Sequence, residues 1–350
     1  MVSLERASAR VGNATVKLHL TTTKDNRLIR TLRRYARQSR GADACLVGDP
    51  ARADAIVFVE TVDWRDPHFL RVHRHRLTRE HPDRVVLFNE GDVSRARLPA
   101  VAMNATRAPW QIGLGSLPIH EDQPPIEPIA TEPTELMSFV GSRTSPVRHR
   151  ILDRYASVQP AVIDTDAYDA WHTTRAERSA QRRAFEHALA AGLFALCPRG
   201  GGSGGSGRSS LRLYEAMQAG RCPVILSDRW VEDHGVDWSF ALRVAEADCE
   251  RLEELLGAVS RDEALARGAE GRRRWEAAYA PERYLDTLGS AVRTLLERGA
   301  RVPRRRLVDV LRDARYATLL RARQLQTHWG TLGGVAPEPV AMDGDTAAKP

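Results

Sequence analysis

The most informative stretch of this chain is LCPRGGGSGGSGRSSLRLYEAMQAGRCPVILSD, residues 196–228. Short apolar runs at 194–197 and 223–226 are typical of buried parallel strands. Between them, residues 211–219 contain no helix breaker, with Ser209 and Ser210 as candidate N-caps and Gly220 where a C-terminal cap belongs. The order strand, glycine-rich loop, helix, strand predicts a βαβ unit.

The loop before this helix predicts an anion site. Glycines let the backbone approach a ligand, and a helix N-terminus presents free N–H groups to a phosphate. Three arginines surround that point, and Glu215 lies one turn inside the helix, where it could accept hydrogen bonds from ribose hydroxyls. At i, i+4 and i+7, Arg208, Arg212 and Glu215 are expected on one helical stripe. The predicted donor-binding set here is Arg199, Gly200, Arg208, Ser209, Ser210, Arg212 and Glu215.

Two other interpretations of the loop remain open. Glycine and serine can form a flexible surface loop, with Arg212 and Glu215 as an ordinary i, i+3 pair. The string also satisfies the dinucleotide fingerprint G-x-G-x-x-G through Gly202, Gly204 and Gly207, with Asp228 at the end of the next strand. That fingerprint predicts an NAD(P)-dependent oxidoreductase, but it requires neither an arginine after the strand nor a glutamate on the helix.

The ordered motif resembles the exostosin-like glycosyltransferases, whose signature is P-R-G, a loop, and S-x-R-[LF]-[FLY]-E-A-x-x-A-G-x-x-P-V-[IM]-[IL]-S. Residues 198–200 and 210–227 follow it, and similar pieces occur at 88–92, 139–152 and 227–238. The resemblance implies a GT-B fold, an α/β architecture of two Rossmann-like domains facing across a cleft, followed here by C-terminal helices. It also implies metal-independent transfer with inversion at the anomeric carbon, and no cofactor. The loop GGSGGSG is longer than the family pattern, so its glycines are not matched individually.

The length and composition of the chain indicate a globular protein and argue against a disordered one. With 350 residues and 42% hydrophobic content, the chain is long enough for two globular domains. Its net charge of +7 suits anionic ligands without selecting among them. Four cysteines without C-x-x-C spacing indicate reduced, buried thiols, and no secretory signal opens the chain. We therefore expect a cytoplasmic protein, and the richness in Arg and Ala suggests a bacterial one.

The first part of the chain alternates apolar runs with polar helical stretches, which predicts a parallel sheet. Acidic pairs follow two of its strands, Glu60 with Asp63 and Glu90 with Asp92. Ligands of such sheets bind beyond the carboxyl ends of the strands, so these acids are candidates for acceptor contacts. Glu90 is the predicted general base, with Asp92 next, although acids at strand ends are often only caps or turn formers.

No metal site is predicted. The spacing of His68, His73, His75 and His81 does not place them on one helical face, and zinc ligands come in tighter pairs. The D-x-D of Asp164 and Asp166 is the signature by which another class of glycosyltransferase holds a divalent cation. A strand-end turn is the alternative interpretation of this triplet.

Domain limits follow from prolines and charge. We predict an acceptor-side Rossmann-like domain at 1–122, a proline-rich linker at 123–134 and a donor domain at 135–298. In the donor domain, Gly141 and Arg148 are candidates for a second donor contact. A basic helical segment at 299–330 precedes a tail, 331–350, predicted to be disordered. The basic segment is either a helix crossing back onto the first domain, a solvated face, or a peripheral contact with the inner membrane face.

The function favoured by the sequence is transfer of a sugar from a nucleotide diphosphate donor, a UDP-sugar, to a hydroxyl-bearing acceptor. The oxidoreductase described above and a basic protein that binds nucleic acid or membranes remain the alternatives. No nucleic-acid partner is expected.

Overall fold

The computed structural model describes residues 15–61, 66, 68–91, 98–115, 117–118, 123–165, 174–200 and 207–303. They form two sheets, in which every pair of neighbouring strands is parallel. The first has the order β2-β1-β3-β4-β5-β6 and contains β1 (Val16–Thr21), β2 (Ala44–Leu46), β3 (Ala55–Glu60), β4 (Val85–Asn89), β5 (Ala100–Ala102) and β6 (Gln111–Gly113). The second has the order β11-β10-β9-β7-β8 and contains β7 (Glu135–Gly141), β8 (Val162–Asp164), β9 (Gly192–Pro198), β10 (Cys222–Leu226) and β11 (Leu242–Arg243). The predicted α/β fold with two parallel units is confirmed.

Helices cover both faces of the first sheet, which is why β3 and β4 are buried along their whole length. On one face, α1 (Arg27–Gln38) presents an apolar stripe that includes Leu28, Ile29 and Leu32, while its residues Arg30, Arg33 and Arg37 are exposed. The side chain of Asn26 caps this helix by accepting from Ile29 N. The other face packs against two short helices, α2 (Leu70–Arg74) and α3 (Arg76–Glu80).

The second sheet is likewise sandwiched between helices. One face packs against α4 (Pro146–Tyr155), α7 (Leu252–Gly257) and the start of α8 (Arg261–Ala278). The other packs against α5 (Arg175–Ala191) and α6 (Leu211–Ala219). This is the layered arrangement that a parallel sheet requires to bury both of its faces.

The central βαβ unit consists of β9, α6 and β10. Gly220 ends α6 in the left-handed conformation, with φ 73°, as a C-terminal glycine cap does. Ser210 is the N-cap, but its side chain makes no capping hydrogen bond. Since α6 begins only at Leu211, Arg208 precedes the helix and does not share a stripe with Arg212 and Glu215.

The proline-rich segment 123–134 lies against the second sheet's helices. Ile126 N donates to Gln218 Oε1 at 2.7 Å, and Ile129 N donates to the Ala219 carbonyl at 3.0 Å. The buried Arg221 donates through Nη2 to the Thr131 carbonyl at 2.6 Å. These hydrogen bonds hold segment 123–134 against the surface of the second unit.

The last described helix, α9 (Tyr284–Glu297), returns to the first sheet and packs on β1, β2 and α1. Asp286 Oδ1 accepts from the backbone N–H groups of Asp43 and Ala44 at 3.1 Å each. A Cβ on Gly289 would lie 2.5 Å from that of Ala44, so the close approach of helix to strand requires glycine. The final helix of the predicted donor domain, 135–298, therefore packs against the first sheet.

The basic segment beyond residue 303 and the tail lie outside the described residues. Within the described part of the chain, no helix has the length and apolar character needed to cross a membrane. All four cysteines are free thiols; three are buried and Cys45 is partly exposed.

Candidate active site

The carboxyl ends of the two sheets meet across the α6 loop. Asn104, which follows β5 of the first sheet, accepts hydrogen bonds from the backbone N–H groups of Arg208 and Ser209 at 2.7 and 2.9 Å. Those two residues connect the glycine-rich loop to α6. The predicted donor loop and the predicted acceptor-side strand ends are thus brought to one place, as ligand binding beyond the strand carboxyl ends requires.

Glu90, the predicted base, follows β4 at this edge. Its side chain is 5% exposed, accepts from Leu117 N at 2.7 Å and lies 3.5 Å from a guanidinium nitrogen of Arg27. Burial raises the pKa of Glu90 from 4.5 to about 7, against the opposing effects of Arg27 and the Leu117 N–H. A carboxylate with a pKa near neutrality has the basicity that proton abstraction needs. Asp92 lies outside the described residues.

Glu60, at the end of β3, is also buried. Thr23 donates to it through both N and Oγ1, at 2.6 and 3.1 Å, and Thr22 Oγ1 lies at 3.3 Å. Burial raises the pKa of Glu60, and these hydrogen bonds oppose the rise. Its carboxylate therefore already organises the turn after β1. Asp63 lies outside the described residues.

Arg199 leaves the end of β9 and is only 8% exposed. Its Nε donates to Glu246 Oε1 at 2.7 Å, and its carbonyl accepts from Ser145 Oγ at 2.9 Å. Arg148 donates to the same carbonyl from Nε at 3.1 Å and to the Pro198 carbonyl from Nη2 at 3.2 Å. The predicted donor residues Arg199 and Arg148 thus lie together around the P-R-G turn, and Glu246 is a partner that sequence reasoning missed.

Arg212 and Glu215 form an ion pair on α6. Arg212 also donates from Nε to the Val140 carbonyl at 2.9 Å, and its guanidinium carbon lies 4.3 Å from the ring centre of Phe185. Glu215 receives a second arginine, Arg182, at 3.0 Å. Its side chain is 14% exposed, so this carboxylate lies partly buried between two guanidinium groups.

Two glycines near these arginines, Gly207 and Gly141, occupy positions where a side chain would collide with neighbouring atoms. A Cβ on Gly207 would lie 2.4 Å from the Gly200 carbonyl oxygen, and Gly200 N donates to the Ser209 carbonyl at 2.9 Å. The two ends of the loop are therefore held together by backbone contacts, which leave no room for a side chain at position 207. Gly141 ends β7, where a Cβ would lie 2.6 Å from the Phe139 ring. Gly202 and Gly204 lie outside the described residues.

Ser210 carries a hydroxyl that is buried and has no hydrogen-bond partner in the described structure. Ser210 is the N-cap of α6, where the helix dipole favours an anion. A buried hydroxyl without a partner is rare, because the desolvation of the group is not compensated.

Asp233 is a buried carboxylate that sequence reasoning missed, although it lies in the piece 227–238 that resembles the family. It accepts from Tyr214 and Tyr279 hydroxyls at 2.7 and 2.8 Å and from Gly115 N at 3.0 Å. Burial raises the pKa of Asp233 to about 6 despite these donors. Tyr284, on α9, donates to the Gly115 carbonyl at 2.8 Å. Together these groups join the two sheets beside the site.

Asp164 of the D-x-D pairs with Arg143 at 2.7 Å, and Asp166 lies outside the described residues. His75 Nδ1 accepts from Leu77 N and thereby caps α3. Where the chain is described, no three His, Cys, Asp or Glu side chains are grouped as metal ligands. Asp228, the acid required by the dinucleotide fingerprint, accepts from Glu246 N at 3.1 Å.

Comparison with known proteins relates this geometry to a family. The Exostosin GT47 domain matches residues 106–259, which include Arg199 after β9 and Arg212 and Glu215 on α6. An Exostosin-1 homolog from Caenorhabditis elegans is 35% identical over 101 residues, 28% of this chain and 22% of that protein. The chain thus matches about a fifth of that relative's length.

Among solved structures, the crystal structure of TarM covers 78% of this chain and 59% of its own, with 12% identity and a TM-score of 0.32. The relation of this chain to the exostosin family therefore rests on sequence similarity. The P-R-G and S-x-R-L-Y-E-A motifs lie inside residues 106–259, and the match of this segment to the Exostosin GT47 domain agrees with the exostosin-like glycosyltransferase resemblance that they indicated.

Proposed function

We propose that the protein is a glycosyltransferase that moves a sugar from a nucleotide diphosphate donor, a UDP-sugar, to a hydroxyl acceptor. The observation that carries the proposal is that Asn104 bonds both to the Gly91 carbonyl, beside Glu90, and to Arg208 and Ser209, which precede α6 within the family-matched residues 106–259. A donor loop and a buried base on facing sheets provide the two components that such a transfer requires.

The donor diphosphate is proposed to bind at the start of α6. The helix dipole and N–H groups favour an anion there, and the Ser210 hydroxyl would gain the partner that it lacks. Arg199 and Arg212 are proposed to hold the leaving diphosphate, and Glu215 the ribose. Because both arginines already contact carboxylates, a diphosphate must share these guanidinium groups with Glu246 and Glu215. A guanidinium has five N–H donors, which makes such sharing feasible.

The acceptor is proposed to bind on the first sheet, with Glu90 as base. Glu90 takes the proton of the acceptor hydroxyl while the oxygen forms a bond to the anomeric carbon. The bond between that carbon and the diphosphate oxygen breaks, and the nucleoside diphosphate leaves with the electron pair. Attack opposite the leaving group inverts the anomeric centre, and the arginines supply the positive charge that stabilises the leaving group without a metal.

A panel of nucleotide sugars, assayed by slow donor hydrolysis and by thermal shift, tests the donor class. We expect protection by UDP, none by NAD, and hydrolysis of at least one UDP-sugar. Protection by NAD alone would favour the oxidoreductase. Protection by GDP alone would indicate that the donor nucleotide carries guanine instead of uracil. Product anomers identified by NMR would test inversion.

Arg212→Ala compared with Arg273→Ala makes this test specific to the site. Arg273 forms a similar i, i+3 pair with Glu270, on the exposed surface of α8. Only Arg212→Ala should lower UDP affinity, by at least about tenfold, since a hydrogen bond to a charged group contributes about 1.5 to 3 kcal/mol. Equal effects of the two variants would contradict direct binding at Arg212.

A further inference from the structure

Asn104 is a buried polar residue that connects the two sides of the proposed site. It follows β5, is 1% exposed, and makes three hydrogen bonds. Its Oδ1 accepts from Arg208 N and Ser209 N at 2.7 and 2.9 Å. Its Nδ2 donates to the Gly91 carbonyl at 3.0 Å. Two N–H groups on one side and a carbonyl on the other fix the orientation of the amide.

The three hydrogen bonds of Asn104 lie at two functionally different points, the turn after β4 and the residues just before α6. Gly91 directly follows Glu90, and its own N–H donates to Asn89 Oδ1 at 2.8 Å. Ser209 immediately precedes the N-cap of α6, and the Arg208 carbonyl accepts from Ser227 Oγ at 2.7 Å. One side chain therefore spans the distance between the turn that carries the base and the loop that leads into the donor helix.

We propose that Asn104 is a positioning residue that sets the donor loop against the Glu90 turn. This inference rests on the proposed function, because it concerns the same cleft. The role requires an amide, since the side chain must accept two hydrogen bonds and donate a third. Aspartate can accept from the two N–H groups but cannot donate to the Gly91 carbonyl, and alanine can do neither.

The two sheets do not depend on Asn104 to stay together. The Asp233 carboxylate accepts a hydrogen bond from Gly115 N, an isolated parallel β-bridge pairs Gly113 with Asp233, and α9 packs on the first sheet. Removing the Asn104 side chain should therefore release the loop and the turn locally and leave the domains attached. A local effect on the loop and the turn can therefore be distinguished from a general loss of stability.

The first test is hydrogen exchange of the Arg208 and Ser209 amides without ligand, in Asn104→Ala, Asn104→Asp and Gln111→Ala. Gln111 is the matched control, because its buried Oε1 also accepts two hydrogen bonds, from Thr106 N and Oγ1 at 2.8 Å each. We expect exchange about tenfold faster in Asn104→Ala and little change in Asn104→Asp or Gln111→Ala. Unchanged exchange in Asn104→Ala would overturn the proposal, whether or not the protein transfers sugar.

The second test compares kinetics in the donor hydrolysis assay. Asn104→Ala and Gln111→Ala should lose similar stability, but only Asn104→Ala should raise the donor KM and lower kcat, each about tenfold. Equal kinetic effects in the two variants would overturn the positioning role. A wild-type protein that neither binds UDP nor hydrolyses any donor would refute the proposed function, and the exchange measurement would still decide whether Asn104 holds the loop.

Discussion

Replacing Glu90 by glutamine should make the protein more stable and less active, at the same pH. Glutamine keeps the shape of the side chain and an oxygen that can accept from Leu117 N, but it removes the buried charge. The energetic size of that charge follows from the pKa of Glu90, which burial raises from 4.5 to about 7. At about 1.36 kcal/mol per pH unit, this difference corresponds to about 3 kcal/mol.

The sign follows from proton binding. Between pH 4.5 and about 7 the folded protein keeps the Glu90 proton that the unfolded chain loses, so wild-type stability falls as pH rises through this window. The contribution is fully present below 4.5 and lost above about 7. Glu90→Gln removes this dependence, while Asp233, whose pKa is also raised, is common to both proteins and cancels in the comparison.

Urea unfolding followed by tryptophan fluorescence measures the effect, with seven tryptophans as probes. At pH 5 the two proteins should have similar midpoints. At pH 8 the variant should be more stable by about 3 kcal/mol, which shifts the midpoint by about 1 M for a slope of about 3 kcal/mol/M. Its turnover at pH 8 should fall by about a hundredfold to ten-thousandfold, the usual contribution of a positioned base.

Two results would refute this reasoning. If the midpoints of both proteins change equally from pH 5 to pH 8, Glu90 does not carry a raised pKa. If the variant gains stability but keeps near-normal turnover, the carboxylate is buried as described and is not the base. In that case Glu60→Gln and Asp92→Asn are the next variants to assay.

Four further predictions concern the donor side and the junction of the sheets. Arg199→Ala and Arg212→Ala should each weaken UDP binding by at least about tenfold in calorimetry, and normal affinity in both would reject the diphosphate assignment. Glu215→Gln should lower UDP affinity through the ribose; full affinity would leave Glu215 a structural partner of its arginines. Transfer should persist in EDTA, whereas loss that manganese restores would indicate a metal-dependent reaction. Tyr279→Phe removes one hydrogen-bond donor to Asp233 and should lower the free energy of unfolding, measured in urea, by about 1 to 3 kcal/mol. An unchanged free energy of unfolding would contradict a stabilising role for this hydrogen bond.

Local features of the site could be predicted from sequence. The βαβ unit around α6, the glycine cap at Gly220 and the placement of Glu90 just beyond a buried strand all depend on residues close in the chain. The partners of these side chains could not be predicted in the same way. Arg199 meets Glu246 and Glu215 meets Arg182, and no spacing rule connects residues that far apart.

Sequence alone was enough to predict the alternation of strands and helices, the family-like motif, and the candidate residues for diphosphate binding and proton abstraction. These properties follow from hydrophobic periodicity, capping and side-chain chemistry, which act over a few residues. The folded structure was needed to show which strand ends lie near each other, that α9 packs on the first sheet, and that Asn104 bonds to both Gly91 and Arg208. Asn104 and Arg208 are 104 residues apart, and Asp233 and Gly115 are 118 apart. Contacts at such separations, and the pKa values that burial raises, exist only once both sheets are packed.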